Sequence, residues 1–316
     1  MSYYGDLLRD YNNRYSKQFY FGVPLYLKFK TSPSEKITLG QSYRLRRAVE
    51  EKEGSDVVSY ATAQGATIKH SCSDKQVASK FKFGNGLDIY EVTYKPKQYN
   101  TADLAVQVKH ASKLDTKTNR IDNTETLKVG SPQVSGARLW QTLDVAWNTA
   151  NADRVLKGST NINYDKYNVG AKYDYDITKG AVKSVDAQLF VKNSSDSDLF
   201  VTYNLQKKEA KVGGEYKVCS YGSHGLDVVY DCSGKFKGLF GQAATLNWAG
   251  QYRVTDDALL KFKASLANEW VFGWSWVHTV NNKLKLTFSH NLNVSKVLQG
   301  KGRNPYDFGG ALEWKL

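Results

Sequence analysis

Alternation of apolar and polar side chains, with a period of two, runs through most of this chain and is cleanest over residues 281–316. Leu284, Leu286 and Phe288 share one parity, while Lys283, Lys285, Thr287 and Ser289 share the other. Further on, Phe308, Gly310, Leu312, Trp314 and Leu316 alternate with Asp307, Gly309, Ala311, Glu313 and Lys315. Period two marks a strand with one greasy and one polar face. A final strand left as an open edge invites aggregation. The pattern therefore poses a question for the whole chain: does this strand close a barrel?

Taken from its start, the sequence predicts one helix, over residues 3–16. Tyr4, Leu7, Leu8, Tyr11 and Tyr15 fall on one face at helical spacing, with Asp6, Arg9, Asp10, Asn13 and Arg14 largely on the other. Acid near the start and base near the end suit the helix dipole. Gly22 and Pro24 end it, which divides the chain into a helix and hinge, 1–22, and a body, 23–316.

Almost everything in the body reads as strand. Leu25, Leu27 and Phe29 alternate with Tyr26, Lys28 and Lys30. Further strands are expected at 36–46, 55–63, 65–73, 76–84, 86–95 and 102–112. The polar stretch 113–133 is a long loop or an extra irregular strand. Alternation resumes at 138–148, where Leu139, Leu143, Val145 and Trp147 share a face, and continues to the end. The total is about nineteen strands, separated by Asn, Asp, Gly and Lys turns. Strands of about ten residues are long enough to cross a bilayer when tilted.

No run of about 18 apolar residues exists, which excludes transmembrane helices but not a transmembrane barrel, whose alternation washes out mean hydropathy. The mean hydropathy of −0.53 is compatible with either a soluble protein or such a barrel. A soluble sandwich of so many strands needs a very large core, and one open sheet of this size is unusual; closure removes the edges. The expected fold is all-β: a transmembrane barrel of about nineteen strands with an N-terminal amphipathic helix. Its apolar parity faces lipid and its polar parity faces a water-filled lumen. Trp270, Phe272, Trp274 and Trp276 share one parity, and Trp140 and Trp147 sit at either end of another strand, as interfacial girdles require.

The formal net charge is +13, dispersed along the chain. Lysine opposes the apolar parity at Lys28 and Lys30, Lys80 and Lys82, Lys261 and Lys263, and Lys285. A lumen lined this way gathers small anions and favours their passage over cations. No zinc-finger spacing, RNP-like signature or basic heptad helix points to nucleic acid. The five histidines form no metal-ligand spacing, no catalytic motif is present, and no cofactor or enzymatic activity is expected. Three cysteines, Cys72, Cys219 and Cys232, make no disulfide framework. No secretory signal follows Met1, and Asp6 and Asp10 argue against a cleaved, acid-poor presequence.

Two stretches carry a resemblance. Tyr4-Gly5-Asp6-Leu7 through Lys17, then Tyr20-Phe21-Gly22 and Leu25 to Thr31, resemble the start of the mitochondrial porins, the voltage-dependent anion channels. Lys283 to Ser289 looks like the penultimate strand of that family. Asp307-x-Gly309-x-x-Leu312-x-Trp314 fits the sorting signal of mitochondrial outer-membrane barrels. The resemblance implies a nineteen-stranded barrel with parallel first and last strands and the helix folded into the pore. It implies passive passage of ATP, ADP, phosphate and chloride across the mitochondrial outer membrane, with Arg9, Lys17 and Lys30 at pore-facing positions. It is also compatible with homo-oligomers, with association with other mitochondrial membrane proteins, with a structural subunit of a larger assembly, and with a protein-import pore of the same superfamily. The family's Gly-Leu-Lys nucleotide-contact motif has its nearest counterpart in Gly86-Leu87-Asp88, where acid replaces base.

Overall fold

The computed structural model describes residues 12–13, 17–21, 23–52, 55–71, 76–84, 86–101, 104–149, 154–234, 243–267, 269–299 and 306–315. Asn12 and Asn13 are helical; the rest of the expected helix, Arg9 included, lies outside the described residues.

The strands are β1 (Leu25–Ser34), β2 (Ile37–Lys52), β3 (Ser55–Ser71), β4 (Val77–Phe83), β5 (Leu87–Tyr94), β6 (Ala105–Asp115), β7 (Arg120–Gly130), β8 (Ala137–Asn148), β9 (Arg154–Tyr164) and β10 (Tyr167–Asp176). They continue as β11 (Ala181–Lys192), β12 (Ser197–Asn204), β13 (Glu209–Cys219), β14 (Gly222–Asp231), β15 (Ala244–Arg253), β16 (Ala258–Leu266), β17 (Trp270–Thr279), β18 (Leu284–Asn293) and β19 (Tyr306–Lys315). Each pairs antiparallel with the next, and the ring closes between β1 and β19. Strands that alternate in direction leave an odd ring with one parallel seam. Here it runs from Tyr26↔Ala311 to Lys30↔Lys315, so 19 strands leave no edge along the wall. No helix among the described residues is long and apolar enough to cross a membrane.

Nineteen strands spaced about 4.8 Å apart and tilted about 40° enclose a ring roughly 38 Å across, too wide for side chains to fill. The apolar parity accordingly points outward and stays exposed, as at Phe81, Leu127, Leu189, Leu226, Phe288 and Trp314. Aromatic clusters sit on this outer face. One is His224, Tyr252, Trp248 and Phe262, where His224 Nε2 and the Tyr252 hydroxyl lie 2.5 Å apart. Phe272 and Trp276 share it with Trp274 and Trp270.

Three features differ from the sequence reading. The strands expected at 55–63 and 65–73 are one long strand, β3, because Gly65 pairs with Ser42 inside the ladder and does not turn. The stretch 113–133 holds a regular strand, β7, bonded across its length to β6 and β8. Trp140 has the opposite parity to Trp147: it faces the lumen, is 3% exposed, and lies over Gly130 on the neighbouring strand with Arg138 above its ring. A Cβ at Gly130 would overlap that ring. Gly130→Ala is expected to destabilise the barrel by about 1–3 kcal/mol through overpacking, read from urea unfolding out of lipid vesicles.

The β2–β3 ladder also outruns its neighbours. It extends from Ile37↔His70 to Lys52↔Ser55, whereas β1 covers β2 only to Leu45 and β4 covers β3 only from Ala66. Beyond those points the two backbones continue as a ribbon past the wall.

Candidate functional site: the lumenal face

The inward parity of β1 to β6 is basic. Lys28 and Lys30 on β1, Arg44 on β2, Lys69 on β3, Lys80 and Lys82 on β4, and Lys109 on β6 all share it, as the cross-strand registers require. Three of these cations are matched by acid. Glu313 Oε2 accepts from Lys28 at 2.9 Å, and Glu91 takes both Lys80 at 2.6 Å and Lys109 at 2.8 Å. Lys30, Lys69 and Lys82 have no ion pair among the described residues. With Lys28, Lys80, Tyr26, Ser42 and Thr67 they line an open cleft of about 420 Å³. Positive charge here belongs to the wall as built and needs no bound ion to set it up.

The inward parity of β8 to β14 is richer in acid: Asp144, Asp174, Asp176, Asp186 and Asp227. Several are tied down locally. Asp176 meets Lys183 at 3.0 Å, and Asp227 meets Lys211 at 3.4 Å and the Asn247 amide at 2.9 Å. The two arcs of wall therefore differ in sign.

A second cluster lies on β16 to β19, where the segment before β1 is bolted to the inner wall. Lys261 Nζ donates to the Lys17 carbonyl at 2.7 Å. Ser275 Oγ donates to the Gln18 carbonyl at 2.6 Å, and Ser289 Oγ accepts from the Tyr20 amide at 3.2 Å. Gln18 takes a left-handed φ of 68° to make this turn. The Gly310 amide donates to the Val23 carbonyl at 3.2 Å. The Tyr20 hydroxyl donates to Glu313, and burial followed by that carboxylate pushes its pKa up, so it stays protonated. Lys263 Nζ sits 4.6 Å from the Phe19 ring centroid and 4.8 Å from that of Phe21, a cation–π arrangement.

This cluster changes the reading of two residues expected to line the pore. Lys261 has the lumenal parity but is only 3% exposed, because the hinge lies over it. Lys263 is covered by two aromatic rings. Both hold the hinge; neither offers an open ammonium to a passing solute. Lys17 also sits in the hinge, joined to the wall through its carbonyl. Lys285 keeps the lumenal parity opposite Glu313. Sequence reasoning passed over Lys69, Arg44 and the serine pair Ser275–Ser289, although the same parity rule would have found them.

The residues of the sorting pattern divide between the faces of β19. Asp307 and Gly309 point inward, and Leu312 and Trp314 outward, with Trp314 against Phe29 across the seam.

A closed ring with an apolar outside and a charged inside defines a transmembrane β-barrel. No protein-family model matches the chain, and no curated protein sequence matches it. Among solved structures, an engineered protein described under "Asymmetric conductivity of engineered proteins" is similar, with TM-score 0.47, 10% identity, and coverage of 88% of this chain and 99% of that one. A triple mutant of Rh. blastica porin is similar at TM-score 0.44 and 12% identity, again over 88% and 99% of the two chains. A double mutant of the same porin gives TM-score 0.43 and 13% identity with the same coverage.

Proposed function

We propose that this chain is a passive diffusion pore that prefers small anions. The observation that carries the reading is the cluster Lys30, Lys69 and Lys82, open to the lumen and without ion pairs among the described residues. Water-filled width permits passage, and weak multi-site contacts with mobile ammonium groups permit release. Selectivity is modest, because the acidic arc of β8 to β14 opposes the basic one.

The finer assignment is a channel of the mitochondrial outer membrane that passes phosphate, chloride and adenine nucleotides. It rests on the resemblance of the first thirty and last thirty-five residues to the voltage-dependent anion channels, supported by a parallel seam in an odd ring. Purified protein in a planar bilayer under a potassium chloride gradient is expected to show discrete conductance steps and a reversal potential on the chloride side of zero. Folded, inserted protein with no conductance would defeat the pore, and a reversal potential on the potassium side would defeat the anion preference.

A further inference from the structure

The ribbon formed by β2 and β3 leaves the wall with both of its edges uncovered. From Arg46↔Ala61 to Lys52↔Ser55 the two strands keep seven rungs of antiparallel ladder, whereas β1 leaves β2 after Leu25↔Leu45 and β4 leaves β3 after Ala66↔Phe83. The wall parts from β3 at Gly84. There the backbone takes a φ of 115° against the Gln64 carbonyl, where an added Cβ would overlap it, and turns away into β5. A two-stranded ribbon standing by itself is marginally stable at best, and a third strand is what it lacks.

The two open edges are not alike. Natural edges are blunted with charge, proline or bulges. On β2, five of the seven residues from Arg46 to Lys52 are charged. On β3, the nine residues from Ser55 to Ala63 hold a single charge, Asp56, with no lysine and no proline, and Val57, Val58, Tyr60 and Thr62 are strand formers. The register is unbroken through them, so no bulge turns this edge aside. Such a stretch presents roughly 30 Å of backbone, along which alternate residues point their N–H and C=O groups away from β2. A row of donors and acceptors at that spacing matches the edge of another strand.

We infer that the β3 edge from Ser55 to Ala63 is a docking site for an extended segment of another protein, which adds to the ribbon as a third strand and brings a lysine or arginine beside Asp56. The charge pattern selects this partner. Glu51 and Asp56 form one rung, and the stretch from Val49 to Asp56 holds four acids against the single base Lys52. Two copies inserted in one membrane with the same orientation run β3 in the same direction. Pairing their edges sets Asp56 beside Asp56 and acid tip beside acid tip, and like charges placed opposite each other destabilise a ladder. A basic strand meets no such opposition. The edge lies on backbone that outruns the barrel, so the segment reaches it without entering the lumen.

The inference rests on the ladder and its charges and not on the ion preference of the pore. The test uses the full chain refolded in detergent, with heat-shifted mobility on gels showing that the barrels are closed. The probe is a fluorescein-labelled peptide as long as the edge, alternating threonine and valine with lysine at one end; a twin carries glutamate there instead. By fluorescence anisotropy the lysine peptide is expected to bind at least about fivefold more tightly than its twin, and Asp56→Lys to reverse that order. Two further peptides are N-methylated at alternate backbone nitrogens, one on each set. A strand bonds its neighbour through one set only, so one of them is expected to bind at least about tenfold more weakly than the parent and the other to match it. With the lysine peptide bound, hydrogen exchange at alternate amides from Ser55 to Ala63 is expected to slow at least about tenfold. Absence of binding to the wild type overturns the inference, as do equal binding of the two methylated peptides and protection confined to residues outside 55–63. An order of preference that Asp56→Lys leaves unchanged overturns the basic partner. Protection of this edge that rises with protein concentration in the absence of any peptide assigns it to a second copy and overturns the inference too.

Discussion

Reversing Lys30, Lys69 and Lys82 to glutamate together should turn an anion-preferring pore into a cation-preferring one. The three ammonium groups line one cleft on the basic arc, and none has an acidic partner among the described residues. The substitution therefore changes the wall by six charge units without stranding a carboxylate. A unit charge about 8 Å from an ion in water contributes roughly 0.5 kcal/mol, cut to about 0.2 by salt at physiological strength. Six units then amount to about 1 kcal/mol, or at least about a fivefold change in the ratio of chloride to potassium permeability. Reversal potential in a potassium chloride gradient reads it directly. Lys261→Glu with Lys263→Glu gives the contrast: both lie under the hinge, so they should disturb the hinge more than they shift selectivity. A selectivity that follows Lys261 and Lys263 and ignores the cleft would mean that solutes travel along β16 to β19.

The barrel was legible in the sequence for a simple reason. Period two survives wherever one face meets lipid and the other meets water, and nineteen such segments leave few folds. The expected count of about nineteen matches the ring, but through two compensating errors. The expected strands 55–63 and 65–73 split β3 at Gln64, although Gln64 opposite Tyr43 and Gly65 opposite Ser42 keep the ladder continuous. Then 113–133, open between a long loop and an extra irregular strand, stood outside the count, because the lipid-facing parity of β7 is not apolar: Ile121, Leu127 and Val129 are interrupted by Asn123 and Glu125. The interruption that hid the strand belongs to a polar cluster, His110, Ser112, Asn123 and Glu125, on the outward face of β6 and β7. The lysines were found by parity alone, and parity places them on a face; it says nothing of what lies over that face. Only the path of residues 17–21 shows that Lys261 and Lys263 are covered, and a two-residue period carries no trace of that path.

Gly309→Ala should release the hinge from the wall while the barrel stays closed. A Cβ at Gly309 would lie well inside van der Waals contact of the Tyr20 carbonyl and also close on the Val23 carbonyl. Both are backbone atoms of the bolted segment, so no side chain can rotate away. The segment must lift, and with it go the bonds from Lys261, Ser275 and Ser289 to residues 17–20. Gly310→Ala is the matched control, since a Cβ there meets only ordinary contacts at 3.6 Å. In protein refolded into detergent, trypsin cleavage after Lys17 should be at least about tenfold faster in Gly309→Ala than in wild type or Gly310→Ala, because a site held in several hydrogen bonds is cut only when it opens. Unchanged heat-shifted mobility on gels would show that all three barrels are closed. Gly309 also belongs to the pattern that resembles an outer-membrane sorting signal, and refolding in detergent bypasses sorting. Fast cleavage there would assign the glycine to the close approach of the hinge, and equal cleavage in all three would leave the sorting role as its explanation.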